Sequence, residues 1–145
     1  MKFYKLMILG LLLQSCYTVR YSLTEYKENN GYFLCENKIC SRGVDGGQSD
    51  MEIFFSEVSI RRGKICAIGT VKDLDCRSIE FCNIYSGKKI ENGKIFMKKH
   101  ITITKENGSF EFKAKLKEEY FIIFYTVGFR PKIYQVQNTA QQLTP

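Results

Sequence analysis

Few side chains in this 145-residue sequence could make or break a bond: there is one histidine, His100, together with six cysteines and no tryptophan. His100 follows Lys98 and Lys99, whose positive charge disfavours a protonated imidazole. A Cys/His relay would have to join it to Cys66, Cys76 or Cys82, and the sequence offers no local reason for such a meeting. The carboxylates Asp73 and Asp75 sit in a turn-forming stretch, and Glu118 and Glu119 have the character of a hairpin tip. Gly43, Gly46 and Gly47 lie in a polar loop with no following Gly-Lys-Ser/Thr step, so no phosphate-cradling loop is expected. Cys35/Cys40 and Cys76/Cys82 lack the C-x2-C rhythm of zinc ligands, and His100 is remote from both pairs. The expectation is therefore no catalytic residue, no metal and no cofactor.

The sixth cysteine, Cys16, belongs to a different pattern. Lys2 and Lys5 precede the apolar run Leu6 to Leu13, which has the length of a signal-peptide core and is shorter than the roughly 20 residues a spanning helix needs. Leu13-Gln14-Ser15-Cys16 then resembles the lipobox of bacterial lipoproteins. That resemblance implies cleavage before Cys16 and acylation (diacylglycerol and a palmitate-type chain) on it, so that the membrane is the first expected partner. Two or three acyl chains hold a protein on a bilayer where one chain binds marginally. Tyr17 is not the Asp associated with inner-membrane retention, and TVRYSLTE lacks the acidic cluster of a surface-export tag. The expected location is the outer membrane, facing the periplasm.

With Cys16 acylated, five cysteines remain in a compartment that permits disulfides. The local pairs Cys35/Cys40 and Cys76/Cys82 are the candidate bridges, and connectivity stays open. Charge excludes little: the formal net charge is +7, falling to about +5 without Lys2 and Lys5. A solvated lysine-rich surface is the leading reading, with anionic lipid headgroups or polyanionic glycans as alternatives, and no nucleic-acid partner is expected.

The elements that would position these residues read as strands. Aromatic residues make up 14% of the chain with only two prolines, a composition suited to pleated sheets. Gly31 to Cys40 reads as a hairpin and Glu52 to Ile60 as a strand, in which Met51, Ile53 and Phe55 share one face and Phe54, Val58 and Ile60 the other. That change of parity implies a bulge or a strand covered on both sides. Ile65 to Val71, Glu80 to Tyr85 with a stop at Ser86-Gly87, and Ile95 to Thr104 follow as strands. Asn107-Gly108 has the form of a hairpin turn. Ser109 to Lys117 then alternates, with Phe110, Phe112, Ala114 and Leu116 on one face and Glu111, Lys113, Lys115 and Lys117 on the other. Tyr120 to Val127 is apolar on both faces and Lys132 to Val136 closes the series. The fold class is an all-β, antiparallel two-sheet sandwich.

Several of these residues carry a resemblance. Gly69-Thr70-Val71-Lys72-Asp73, the strand Ile79 to Tyr85, Thr104-Lys105-Glu106-Asn107-Gly108-Ser109-Phe110 in the manner of T-x-x-x-G-x-F, and Gly128-Phe129-Arg130 after Tyr120 to Val127 resemble the carboxypeptidase-regulatory-like domain. This is a transthyretin-like (prealbumin-like) sandwich common in exported proteins of Bacteroidetes. The resemblance covers Ile68 to Val136 and departs at Cys82, at Phe129 and across Gly87 to Lys99. It implies a non-catalytic accessory or docking module. The related hydrolases of 5-hydroxyisourate carry several histidines and a C-terminal Tyr-Arg-Gly-Ser, which Gln141-Gln142-Leu143-Thr144-Pro145 does not match.

The resulting organisation is a lipoprotein signal peptide over 1–15, a tether with a hairpin and strand extension over 16–63, the sandwich over 64–137 and a tail over 138–145. The expected function is a membrane-anchored binding, docking or structural module of the envelope. Its candidate partner-contact face is Lys113, Lys115 and Lys117, and edge strands are available to a partner strand. The alternatives are glycan or peptidoglycan binding through Tyr85, Tyr125 and Tyr134, and a thiol-dependent enzyme.

Overall fold

The computed structural model describes residues 21–27, 33–36, 39–42, 49–90, 93–116 and 120–138, giving the backbone alone for 21, 33–42 and 138. Leu23–Gln137 forms one compact unit; of a second, built from residues 1–22 and 138–145, only Tyr21, Ser22 and Asn138 are described. The described elements are ten strands and no α-helix: β1 (Tyr21–Glu25), β2 (Phe33–Glu36), β3 (Ile39–Arg42), β4 (Met51–Arg61), β5 (Lys64–Asp73), β6 (Asn83–Lys89), β7 (Ile95–Ile103), β8 (Ser109–Lys115), β9 (Tyr120–Tyr125) and β10 (Lys132–Asn138). They form a seven-stranded sheet in the order β1-β10-β9-β6-β7-β2-β3 and a three-stranded sheet in the order β4-β5-β8. The β9–β10, β2–β3, β4–β5, β5–β8, β6–β7 and β6–β9 pairings are antiparallel, and β2 with β7 is parallel and short. The chain is thus an all-β sandwich.

The main core lies between the sheets. Phe110 and Phe112 of β8, Ile65, Ala67 and Val71 of β5, and Ile122 and Phe124 of β9 share one buried cluster. Phe55, Phe110, Phe124 and Tyr134 meet edge to face within it, the geometry that ring quadrupoles favour. The two-sided apolarity of β9 has a direct structural cause. Ile122 and Phe124 face the inter-sheet core, whereas Phe121 and Ile123 face a second cluster with Ile95 and Ile133.

The parity change in β4 is a β-bulge. Register shifts between Phe55 and Glu57, so Ser56 has no partner opposite and its hydroxyl donates to the Ile68 carbonyl at 3.1 Å. After the bulge, Val58 and Ile60 stand opposite Ala67 and Ile65, on the same side as Met51, Ile53 and Phe55, leaving Phe54 alone outward. β4 pairs along the length of β5 and contributes the fully buried Met51, so the sandwich takes in part of what the sequence presents as an extension.

Three turns reveal why particular residues stand where they do. Asp73 ends β5 by accepting from the backbone N–H groups of Asp75 and Arg77, each at 2.9 Å, and from Arg77 Nε at 2.9 Å. The Arg77 backbone bond leads in holding its carboxyl below the usual range, against some desolvation. Thr104 is 1% exposed; its hydroxyl donates to the Ile79 carbonyl at 2.9 Å and accepts from the Cys82 N–H at 2.8 Å. Gly108 adopts a φ of 72°, and a Cβ there would stand 2.6 Å from the Val71 carbonyl oxygen.

Three expectations need correction. The Asn107-Gly108 turn does not close a hairpin, because β7 pairs β6 while β8 pairs β5, so the turn carries the chain from one sheet to the other. Ser86-Gly87 does not stop β6. Gly87 lies inside the strand, where a Cβ would come within 2.7 Å of Ile123 and 3.1 Å of Ile95, so its missing side chain permits close packing rather than a break. The strand expected from Tyr120 to Val127 ends at Tyr125, and Val127 is 88% exposed.

Candidate functional site

The open side of the sandwich lies between β7, in the larger sheet, and β8, at the edge of the smaller one. Beyond Phe96 the far edge of β7 has no described strand partner, because its pairing with β2 involves only Ile95 and Phe96. Among the described residues β8 pairs with β5 alone. A cavity of about 620 Å³ opens along this gap, a volume within the range of ligand sites. Lys88 of β6, Lys98 and Lys99 of β7, and Lys113 and Lys115 of β8 line it, with Ser86 and Tyr120 also on its wall. No Asp or Glu is among the described lining residues. None of the five lysines forms an ion pair with a described residue.

The local backbone gathers this charge. In regular pleating Lys98 and Lys99 would point to opposite faces. The β6–β7 register instead shifts twice, leaving Lys98 and Ile101 without partners opposite. Lys98 and Lys99 both border the cavity, together with His100 and Ile101, so this bulged stretch of β7 lines it along its length. Ser86 and Tyr120, 7% and 8% exposed, supply hydroxyls on its wall. Burial raises the Tyr120 phenol above its ordinary value, opposed by the hydrogen bond with Ser86, so the group stays neutral and able to donate at neutral pH.

Lys113 and Lys115 of the expected contact face therefore stand on the cavity wall; Lys117 lies outside the described residues. Lys88, Lys98 and Lys99 were not part of that expectation. Their distance from Lys113 in sequence hides a proximity that only the sheet order creates.

The cysteines are dispersed. Cys16 lies outside the described residues. The β2–β3 register sets Cys35 directly opposite Cys40, and their thiols also lie outside the described residues. The bridge expected between Cys76 and Cys82 is not made: Cys76 is an exposed free thiol at a turn with φ 62°, and Cys82 is a free thiol buried in the core. Burial pushes the Cys82 thiol up to about 12, away from the range of a nucleophile. Cys66 is also free.

His100 Nε2 lies 3.1 Å from Asn83 Oδ1, and the ring meets Tyr85 edge to face at 5.2 Å. The three tyrosines considered for glycan stacking do not share a face. Tyr134 packs on the inter-sheet core, while Tyr85 and Tyr125 pack on the second cluster. Among the described residues, no group of three or more His, Cys, Asp or Glu is placed to hold a metal ion.

No protein-family model, curated protein or solved structure matches the chain.

Proposed function

We propose that the mature chain is a lipoprotein anchored through acyl groups on Cys16, whose sandwich serves as a non-catalytic docking module for an acidic component of the cell envelope. The observation that carries the docking reading is the cavity between β7 and β8, which five lysines border with no carboxylate among the described lining residues. Concentrated like charge in a cleft raises the local concentration of counter-charged partners and steers their approach. An isolated solvated lysine face would need neither the concavity nor the two bulges of β7.

The anchoring reading rests on the lipobox-like Leu13-Gln14-Ser15-Cys16 behind an apolar run, and the outer-membrane, periplasm-facing placement rests on Tyr17 and TVRYSLTE. A transthyretin-like, carboxypeptidase-regulatory-like identity is supported by the roles of the residues that carry the resemblance. Asp73 closes the turn after β5, Thr104 clamps the segment before β6, Gly108 makes the sheet-crossing turn and Phe110 re-enters the core.

Two measurements test the proposal. Intact mass of the native protein from membranes should show a chain starting at Cys16 with acyl mass added, and Cys16→Ala should abolish both processing and membrane retention. Capture from envelope extracts by wild type, but not by a Lys113→Glu/Lys115→Glu variant, should recover a reproducible acidic component. An unprocessed, soluble native protein overturns the anchor; equal capture by both proteins overturns the docking surface.

A further inference from the structure

The edge of β8 that has no described strand partner adds a second kind of recognition to the charge. Hydrogen bonds from Leu116 N–H to the Gly63 carbonyl at 2.7 Å and from Val71 N–H to the Gly108 carbonyl at 2.9 Å set the alternation along the β5–β8 pair. Ala114, Phe112 and Phe110 therefore exchange backbone bonds with Ile65, Ala67 and Gly69. The alternate residues Ser109, Glu111, Lys113 and Lys115 direct their N–H and C=O groups to the other side. Ser109 is already satisfied there, its N–H bonded to Asn107 Oδ1 at 3.0 Å and its carbonyl to Lys105 N–H at 2.9 Å. Glu111, Lys113 and Lys115 have no described backbone partner on that edge.

The lysine-lined cavity of the β7–β8 gap borders β8 at Lys113 and Lys115. A second cavity of about 620 Å³ borders β8 from Ser109 to Lys113 and carries two carboxylates, Glu57 and Glu111, beside Lys105 and Lys113, so the purely basic stretch is the Lys113–Lys115 end. Seven residues of strand span about 23 Å.

We infer that this gap receives an extended acidic peptide segment, which adds as a fourth strand to β8 and places its carboxylates among Lys88, Lys98, Lys99, Lys113 and Lys115. The inference rests on the docking reading and names its partner and mode. Strand addition supplies affinity through main-chain bonds, and side chains on alternate positions supply specificity. Lysines on an edge strand also discourage pairing between copies, and that accounts for Lys113 and Lys115 alone. It does not account for Lys88, Lys98 and Lys99, which belong to the other sheet and reach the same cavity. A second copy of this chain is a poor occupant, since its own β8 edge would set lysine against lysine. An acidic strand meets both the charge and the open backbone.

The test uses the full chain in detergent and three peptides: acetyl-Thr-Glu-Val-Glu-Val-Glu-Thr-amide, its Lys-for-Glu counterpart, and the acidic peptide with Pro replacing both Val residues, which removes backbone donors but keeps the charge. Binding is followed by calorimetry and by amide hydrogen exchange at Glu111, Lys113 and Lys115. The acidic peptide should bind at least tenfold more tightly than either control, slow exchange at those three amides at least tenfold, and lose at least tenfold in affinity with Lys98→Gln/Lys99→Gln, substitutions that leave β8 unaltered. Equal binding of the proline peptide, or displacement by inositol hexakisphosphate without any exchange protection, would show a site that reads charge alone and would overturn strand addition. No binding of any peptide, while envelope capture remains dependent on Lys113 and Lys115, would overturn the peptide inference and leave the docking reading standing. Loss of both would remove the docking reading as well.

Discussion

Replacing Thr104 by Val keeps the shape of a buried side chain and deletes one oxygen. That oxygen makes two bonds, to the Ile79 carbonyl at 2.9 Å and from the Cys82 N–H at 2.8 Å, and neither backbone group has another described partner. Leaving a buried donor or acceptor unsatisfied costs about 1–3 kcal/mol each. The extra buried methyl returns about 1 kcal/mol, so the net loss should be about 1–5 kcal/mol. For a domain of this size that corresponds to a fall in Tm of about 4–20 °C. Urea denaturation with an unchanged m-value is the assay, with Thr104→Ser as control. The serine keeps both bonds and should lose only about 1 kcal/mol for its missing methyl. A valine variant within about 0.5 kcal/mol of wild type, or one more stable than the serine variant, would refute the clamp.

Other predictions follow from the turns and thiols. Gly108→Ala meets both a positive φ and the Val71 carbonyl, whereas Gly63→Ala meets a positive φ in open space. The first should cost at least about 2 kcal/mol and the second about 1 kcal/mol by urea denaturation. In the folded protein Cys76 should react with iodoacetamide at the rate of a free peptide thiol, while Cys82 should stay unmodified until unfolding, as read by peptide mass mapping. Because the folded pKa of Cys82 is raised to about 12, its contribution to stability is whole below the unfolded value near 9 and is lost as pH climbs toward 12. Wild type should therefore lose on the order of 3 kcal/mol more than Cys82→Ala across that window, and parallel pH profiles would contradict the assignment. For Asp73, whose folded pKa is lowered, the sign reverses: its contribution is present above the ordinary carboxylate pKa and fades as acid protonates it. The acid-side slope of wild-type stability should accordingly be steeper than that of Asp73→Asn.

Much of the fold was legible because strand periodicity and turn chemistry are local. Phe110, Phe112 and Ala114 alternate with Glu111, Lys113 and Lys115, and only one burial solution suits that pattern. The parity change at Phe55 left a bulge or a strand covered on both sides, and the β4–β5 register decides for the bulge, which puts five apolar residues on one face. Sheet membership was harder. Asn107-Gly108 has hairpin chemistry, yet the same positive φ serves a crossing between sheets, and the choice is made by the partner strands β5 and β6. Gly87 shows the same ambiguity: a glycine that ends a strand and one that admits Ile123 and Ile95 look alike in sequence. The candidate site was half legible. Lys113 and Lys115 stood on a plainly exposed face, but Lys98 and Lys99 occupy adjacent positions that regular pleating separates. Both border one cavity in a stretch of β7 with two bulges, and bulges set by non-local pairing leave no local signature.

The most direct test of the account is to ask what touches the gap between β7 and β8 in the intact envelope. A photo-reactive p-benzoylphenylalanine placed at Lys113 of the full-length, membrane-localised protein should form one reproducible adduct whose attached segment is acidic. The same probe at Glu52, on an exposed part of β4, should form none. Adducts at Glu52 with none at Lys113, or no adduct at either position, would contradict the claim that this gap is the protein's contact surface.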